Sequence, residues 1–92
     1  MNWRDVFQKL TVEEQKISEE IIMLMNLCEF EKVFVGRYAK HRRPEQPYMI
    51  SFVGGNALYE TTFDSIERVL TYARRQVVHQ YDLKMAEAME NA

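Results

Sequence analysis

The residues with the clearest chemical potential form a cationic segment in an otherwise acidic chain. Arg37, Lys40, His41, Arg42 and Arg43 fall within seven residues, while the 92-residue chain has a net charge of −2. Guanidinium groups make paired hydrogen bonds to phosphates and to carboxylates. We therefore predict that this segment binds an anionic group on a partner. The alternative interpretation is a solvated loop that keeps an edge strand soluble.

A second cationic group follows helical spacing near the C-terminus. Arg68, Tyr72, Arg75 and His79 recur every three or four residues, so they share one face of a predicted helix. This face is either a second contact surface or an ordinary solvated helix face. If the cationic segment folds back beside the helix, the two groups form one site, and the sequence leaves that question open.

The residues that could support catalysis or bind a metal do not form a recognisable set. His41 and His79 are far apart in the chain, Cys28 is the only cysteine, and no serine stands in a nucleophile motif. Cys28 lies in an apolar stretch, which is typical of a buried thiol in a reducing compartment. Glu60 is expected on the solvent face of a strand. We therefore predict a protein that is not an enzyme and has neither cofactor nor metal.

Composition and length limit the classes of protein that fit. The chain is 47% hydrophobic and 28% charged, which is ordinary for one globular domain spanning residues 1–92. The sequence pI of about 5.7 argues against a globally basic nucleic-acid binder. We find neither a leader-type apolar core nor a run long enough to span a bilayer. The prediction is a soluble cytoplasmic protein with no membrane association.

The element around which the chain is organised is the first predicted helix, over residues 12–29. Thr11 and Glu14 have the spacing of a capping box at its start. Its apolar residues recur on one face: Ile17, Ile21, Leu24, Met25 and Cys28. A helix this apolar needs cover from more than one side.

The remaining elements provide that cover. Three segments rich in β-branched and aromatic residues, 32–40, 48–53 and 57–61, predict strands of an antiparallel meander. A second main helix starts near Asp64, with Thr62 or Asp64 as its cap. The expected fold is α+β in the order α-β-β-β-α, with both helices on one face of a three-stranded sheet. The helical spacing of Trp3, Val6, Phe7 and Leu10 allows a short extra helix or turn in front.

The last helix is too long for the domain that it covers. Residues 64–89 would extend about 39 Å as a helix, whereas a domain of this size has a diameter of roughly 32 Å. Two outcomes are open. Either the helix frays after Tyr81, or Tyr81, Met85 and Met89 pack on a second subunit. A second subunit would also cover the apolar first helix, so we favour a homodimer.

The predicted order of elements over residues 12–81 resembles that of the double-stranded-RNA-binding domain. In that family the last helix opens with a lysine-rich turn that contacts phosphates, whereas the matching turn here contains Asp64 and Glu67. Only His41, Arg42 and Arg43 match the family's minor-groove contact in character. The resemblance therefore implies the order of elements and not the activity.

These observations together predict a small non-enzymatic binding protein. We expect an adaptor or inhibitor, of the kind that bacteria and their viruses encode, that occupies the surface of a protein partner. Two alternatives stay open. The first is nucleic-acid binding through the cationic segment, and the second is the binding of a small anionic ligand or nucleotide at a dimer interface.

Overall fold

A computed structural model of the chain describes residues 6–91, and residues 1–5 and 92 lie outside the described part. The elements are β1 (Phe7–Gln8), α1 (Val12–Leu27), β2 (Glu31–Tyr38), β3 (Tyr48–Gly54), β4 (Ala57–Phe63) and α2 (Ile66–Glu90). The strands form one antiparallel sheet in the order β1-β2-β3-β4. The predicted α+β class is confirmed, and so is the meander of the three long strands.

The predicted three-stranded sheet is wrong, and the possible N-terminal helix is not formed at Phe7 and Gln8. Phe7 and Gln8 form a fourth strand, in which Phe7 lies opposite Tyr38 on β2. The N–H of Ala39 donates to the carbonyl of Val6 at 2.9 Å. Backbone pairing with the edge of β2 outweighs the helical spacing of the apolar residues, because an edge strand satisfies these backbone groups. Trp3, the first residue of the predicted helix, lies outside the described residues.

Helix α1 begins with the predicted capping box. The N–H of Glu14 donates to the Thr11 hydroxyl at 3.1 Å, and the N–H of Thr11 donates to the Glu14 carboxylate at 2.9 Å. Ile21 and Met25 are fully buried beneath the helix. The helix ends at Leu27, and Glu29 follows with a φ of 66°.

Helix α2 does not end at Tyr81. It continues to Glu90, so its 25 residues extend about 38 Å, and every described residue from Tyr81 onward is exposed. The long axis of the molecule is accordingly 53 Å, against 27 Å and 20 Å for the others. The N-cap is Ser65, whose hydroxyl accepts from the N–H of Arg68 at 3.3 Å, and not Thr62 or Asp64 as predicted.

Both helices lie on the same face of the sheet and run in the same direction. The core between helices and sheet centres on four fully buried side chains: Ile21, Met25, Ile50 and Val69. Arg74 of α2 and Glu20 of α1 form an ion pair at 3.3 Å that joins the two helices on their solvent-exposed side. Across residues 6–91, neither helix combines the length and the apolar character that a membrane span requires.

Candidate functional site

The outer face of the sheet, opposite the helices, carries apolar side chains that no described helix covers. Side chains alternate along a strand, so the residues next to the buried positions point outward. The outward apolar residues are Phe7, Phe34, Tyr38, Met49, Val53 and Leu58. Phe34 is 44% exposed and Leu58 is 70% exposed, whereas Phe7, Tyr38 and Val53 are half-buried and Met49 is buried among its neighbours. Exposed aromatic and aliphatic groups on one face are typical of a contact surface.

Three aromatic rings cluster at the β1–β2 end of this outer face. The ring of Phe7 stacks on that of Tyr38, with centroids 5.1 Å apart, and meets the ring of Phe34 edge-on at 5.3 Å. Gly36 lies beneath them: a Cβ atom there would be 2.8 Å from the Phe34 ring and 3.2 Å from the Phe7 ring. The glycine therefore lets the rings lie flat against the sheet.

The cationic segment lies directly beside this aromatic cluster. The guanidinium of Arg43 is 5.7 Å from the centroid of the Tyr38 ring, which is within the range of a cation–π interaction. The Tyr38 hydroxyl donates to Glu60 at 3.2 Å. Burial and this hydrogen bond both raise the pKa of Tyr38. Lys40, His41, Arg42 and Arg43 are exposed in the loop that follows β2.

A groove of about 930 Å³ opens on the far side of β2, where the chain after β1 moves away from the sheet toward α1. Its lining consists of Phe7, Gln8, Lys9, Leu10, Gln15, Phe34, Val35, Gly36, Arg37 and Lys40. A smaller cavity of about 290 Å³ shares Gln8, Arg37 and Lys40 with it and extends toward Pro44. No carboxylate is among the described lining residues of either cavity.

The groove also contains a free strand edge. β1 pairs with β2 only at Arg37 and Tyr38, so no described strand accompanies β2 from Gly36 back to the irregular pairing near Lys32. Backbone groups of alternate residues point to the same side of an antiparallel strand. Since the N–H of Ala39 points toward β1, the backbone N–H and C=O of Val35 point into the groove.

Arg37, a predicted contact residue, is used within the fold. Its guanidinium contacts the Glu14 carboxylate at 3.5 Å and lies 5.4 Å from the ring of Tyr48. The Tyr48 hydroxyl donates a hydrogen bond to Glu14. This network attaches the first turn of α1 to strands β2 and β3. The Nε atom of Arg37 is buried with no hydrogen-bond partner in residues 6–91.

The network shifts two pKa values in opposite directions. Burial alone would raise the pKa of Glu14, but hydrogen bonds from Thr11 and Tyr48 and the charge of Arg37 outweigh burial and lower it. Burial, with the hydrogen bond to Glu14, raises the pKa of Tyr48 to about 12. Glu14 is therefore ionised and Tyr48 protonated near neutral pH.

The second cationic group does not join the first in one site. Arg68 lies in the first turn of α2, at the same end of the sheet as the loop, and forms an ion pair with Asp64 at 3.5 Å. Arg75 and His79 lie further along α2, about 15 Å and 21 Å beyond its N-cap, toward the opposite end of the sheet. Both are exposed. The described residues therefore place Arg75 and His79 on a separate surface.

Several residues of the aromatic cluster and groove were not predicted as site residues. Phe34 and Tyr38 could have been found from the sequence, since they alternate with Val33 and Val35 and so occupy the opposite face. Phe7 and Lys9 could not, because their positions depend on the pairing of β1 with β2. Gly36 gives no local signal, since its role is the space that it leaves for two rings.

The described residues contain no group of three or more histidine, cysteine, aspartate or glutamate side chains that could hold a metal ion. Cys28 is a free, buried thiol, and burial raises its pKa, against the opposing charge of Lys84. Comparisons of the chain with protein-family models, with curated proteins and with solved structures found no match.

Proposed function

We propose that this is a small non-enzymatic binding protein that acts by occupying the surface of a protein partner, as an adaptor or inhibitor does. The partner segment would be extended, acidic and partly apolar. It would lie in the groove beside β2 and continue over the cationic loop. The observation that carries the proposal is the combination of a free strand edge with lining cations and no carboxylate among the described lining residues.

The backbone of the groove supports an extended ligand. A peptide strand added to a sheet edge gains main-chain hydrogen bonds, and its alternate side chains enter neighbouring pockets. Val35 offers one N–H and one C=O on this side, and Leu10 and Phe34 offer apolar contacts. A strand bound here would continue the line of β1, which already pairs with β2 in the antiparallel sense.

The charges of the groove support an acidic ligand. Lys9 and Lys40 are exposed at its margin, and the loop adds His41, Arg42 and Arg43 in a chain whose net charge is −2. Complementary charge raises the rate of association and excludes basic competitors. The aromatic cluster next to the loop has the composition of an interface centre, since aromatic residues and arginine are enriched there.

A second candidate function is the binding of single-stranded nucleic acid. The specific observation in its favour is the stack of Phe7 and Tyr38 with Arg43 above the ring of Tyr38. Aromatic rings on a sheet face beside a cationic loop can stack bases and neutralise phosphates, although the rings of Phe7 and Tyr38 are half-buried. Glu60 lies on the same face and accepts a hydrogen bond from Tyr38. Its negative charge would repel a phosphate backbone there, and so we rank this function second.

We also propose that the protein acts in the cytoplasm. The support is the single cysteine, Cys28, which is a free buried thiol and is suited to a reducing compartment.

The proposed function is tested by selecting from a random peptide library displayed on phage against the immobilised full-length protein. We expect the selected peptides to share acidic residues that alternate with apolar ones. A synthetic version should bind wild-type protein, and the variant Lys9→Glu/Lys40→Glu should bind it at least tenfold more weakly, as loss of paired charges implies. Lys16→Glu, an exposed charge reversal on α1, is the matched control and should bind normally.

The same samples discriminate the second candidate. Labelled duplex RNA, duplex DNA and single strands are titrated at low and at physiological salt. Tight binding that falls steeply with salt, and that is lost in Arg42→Glu/Arg43→Glu, would replace the protein partner with a nucleic acid. Selection of peptides without acidic residues, or binding unaffected by Lys9→Glu/Lys40→Glu, would remove the groove from the proposal.

A further inference from the structure

Strand β4 forms the edge of the sheet opposite β1, and no described strand in residues 6–91 pairs with its free side. All seven of its residues pair with β3 in continuous register. Proteins usually protect an edge strand with a bulge, a proline or a charge. In β4 the register has no bulge, the sequence has no proline, and the one charge is Glu60. Tyr59 is 49% exposed, so the edge is open to another strand.

The backbone hydrogen bonds of the sheet decide which residues of β4 face this free edge. The N–H of Tyr38 on β2 donates to the carbonyl of Pro47 at 2.6 Å. Bonding directions alternate along an antiparallel strand, so Tyr48 and every second residue after it bond toward β4. Because Tyr48 lies opposite Phe63, Phe63 and alternate residues of β4 bond back to β3. The backbone N–H and C=O groups that face the free edge belong to Leu58, Glu60 and Thr62.

The side chains of β4 select a register for antiparallel pairing with a second copy of the same strand. In this register Thr61 lies opposite Thr61 of the second copy, and Tyr59 lies opposite its Phe63. Glu60 lies opposite its Thr62, and because both residues face the edge, this pair exchanges both backbone hydrogen bonds. Aromatic pairs and threonine pairs are combinations that stabilise neighbouring strands. β4 is therefore complementary to itself in this register.

The pair of Tyr59 with Phe63 extends ring contacts that each copy already has. The ring of Tyr59 stacks on that of Phe52 with centroids 5.3 Å apart, and the ring of Phe63 packs on that of Tyr72 at 5.5 Å. These rings lie on the helix side of the sheet, where Phe52 is part of the core. Pairing at this edge therefore buries the ring of Tyr59 among aromatic neighbours from both copies, which is the composition of an interface centre.

Glu60 excludes another register but does not exclude this one. Pairing Glu60 with Glu60 of the second copy would place like charges directly opposite each other, which is destabilising. With Thr61 on the axis, the two Glu60 side chains are diagonal neighbours, about 7–8 Å apart. Each Glu60 carboxylate is also held over the sheet toward β2, away from the free edge, because the hydroxyl of Tyr38 donates to it at 3.2 Å.

We infer that two copies of this chain form a two-fold symmetric dimer through antiparallel pairing of their β4 strands, with Thr61 on the axis. The two sheets then form one sheet with twice the four strands of each copy. A two-fold contact closes on itself, so neither copy keeps a free β4 edge. Strands β1 and β2 lie at the far ends of the joined sheet. The groove therefore stays open in both copies, and the inference is independent of the proposed function.

The first test is the mass of the full-length protein in solution, by sedimentation velocity at tens of micromolar. We expect about 22 kDa, twice the chain mass of 11.0 kDa. A wild-type protein that remains a monomer at that concentration would overturn the inference, and the free edge of β4 would then be left to an extended segment of another protein.

Two substitutions in β4 separate edge pairing from general surface effects. Thr62→Pro removes an N–H that faces away from β3, so the fold should persist while dimer formation weakens about tenfold or more. Leu58→Lys is the matched control, because Leu58 is 70% exposed but lies outside the paired residues 59–63. It should leave the dimer intact. A dimer that persists in Thr62→Pro, or equal loss of dimer in both variants with unchanged circular dichroism, would contradict β4 as the interface.

Disulfide cross-linking tests the register of the two strands. Thr61 and Thr61 of the second copy form a non-hydrogen-bonded pair with Cα atoms about 4.5 Å apart, which is within the range of a disulfide. Thr61→Cys should therefore give a covalent dimer on mild oxidation, and Glu60→Cys, whose two copies are diagonal neighbours, should give little. Failure of Thr61→Cys to cross-link, or more efficient cross-linking of Glu60→Cys, would overturn the inferred pairing. Cys28 is buried, so unmodified protein is the background control.

Discussion

Two groups of the same three residue types, arginine, tyrosine and glutamate, lie on opposite faces of one sheet. On the helix side, Arg37 is 5.4 Å from the ring of Tyr48, whose hydroxyl donates to Glu14. On the outer side, Arg43 is 5.7 Å from the ring of Tyr38, whose hydroxyl donates to Glu60 at 3.2 Å. We refer to these as the covered group and the open group.

The difference between the two groups is burial. In the covered group, Glu14 is buried and Arg37 is 29% exposed in its side chain, so removing one member leaves another charge without compensation. In the open group, Glu60 and Arg43 are exposed, and water replaces any partner that is lost. The same chemistry therefore stabilises the fold on one face and is available to a ligand on the other.

The largest predicted effect is the removal of Glu14. Glu14→Ala breaks the capping box and leaves the Tyr48 hydroxyl and the Arg37 guanidinium without their acceptor, so we expect a loss of about 3 kcal/mol in the free energy of unfolding. Urea denaturation measures this loss. Glu60→Ala is the matched control in the open group, and it should change stability by less than about 0.5 kcal/mol. Equal losses in both variants would eliminate the distinction between the groups.

Two glycines extend the comparison to packing. A Cβ at Gly54 would be 2.9 Å from the ring of Phe30, which packs on Phe52 with centroids 4.6 Å apart. A Cβ at Gly36 would be 2.8 Å from the ring of Phe34, which faces solvent and has room to move. We expect Gly54→Ala to cost about 2 kcal/mol and Gly36→Ala about 1 kcal/mol, since overpacking costs more where neighbours are fixed.

The glycine prediction has an internal check. Combining Gly36→Ala with Phe34→Ala removes the closer of the two ring contacts and leaves that with Phe7, so the double variant should be less destabilised than the sum of the single variants. Thermal or urea unfolding of the three variants gives the coupling energy. Strict additivity would show that the ring of Phe34 does not lie on Gly36 in solution.

These contrasts also show what the sequence could and could not predict. The capping box of Thr11 and Glu14 was predictable because its partners are three residues apart, and the outward position of Phe34 was predictable from alternation. The fourth strand was not, since Phe7 and Gln8 acquire strand geometry only through pairing with Tyr38 and Arg37. The sequence grouped Arg37 with Arg43 because they are near in the chain, but the sheet places them on opposite faces.

The covered group should also make the stability of the protein depend on pH. The folded-state pKa of Glu14 is lowered from its ordinary value of 4.5, so its contribution is complete at higher pH and is lost as the pH falls below about 4.5 through the folded-state pKa. The folded-state pKa of Tyr48 is raised from 10.0 to about 12. Its contribution is complete below pH 10 and is lost as the pH rises from 10 to about 12.

Two variants isolate these ionisations. Glu14→Gln should be less stable at neutral pH but should lose less further stability in acid than the wild type does. Tyr48→Phe should lose less stability between pH 10 and 12. Urea midpoints measured across pH give both comparisons. Acid and alkaline profiles that remain parallel to those of the wild type would assign the pH dependence to other groups.

The smallest effect on stability is predicted for Arg43. Replacing the arginine of the open group should affect binding more than stability, and replacing that of the covered group should do the opposite. Arg43→Ala removes an exposed cation–π contact with Tyr38, so we expect less than about 0.5 kcal/mol in stability. Arg37→Ala removes the partner of buried Glu14 and should cost about 2 kcal/mol.

Binding of a selected acidic peptide should show the reverse order, with Arg43→Ala weakening it although the fold is unchanged. Stability is read from urea denaturation and affinity from fluorescence anisotropy on the same preparations. If Arg43→Ala left affinity unchanged, the open group would be a solvated counterpart of the covered one and the contact surface would be limited to the groove.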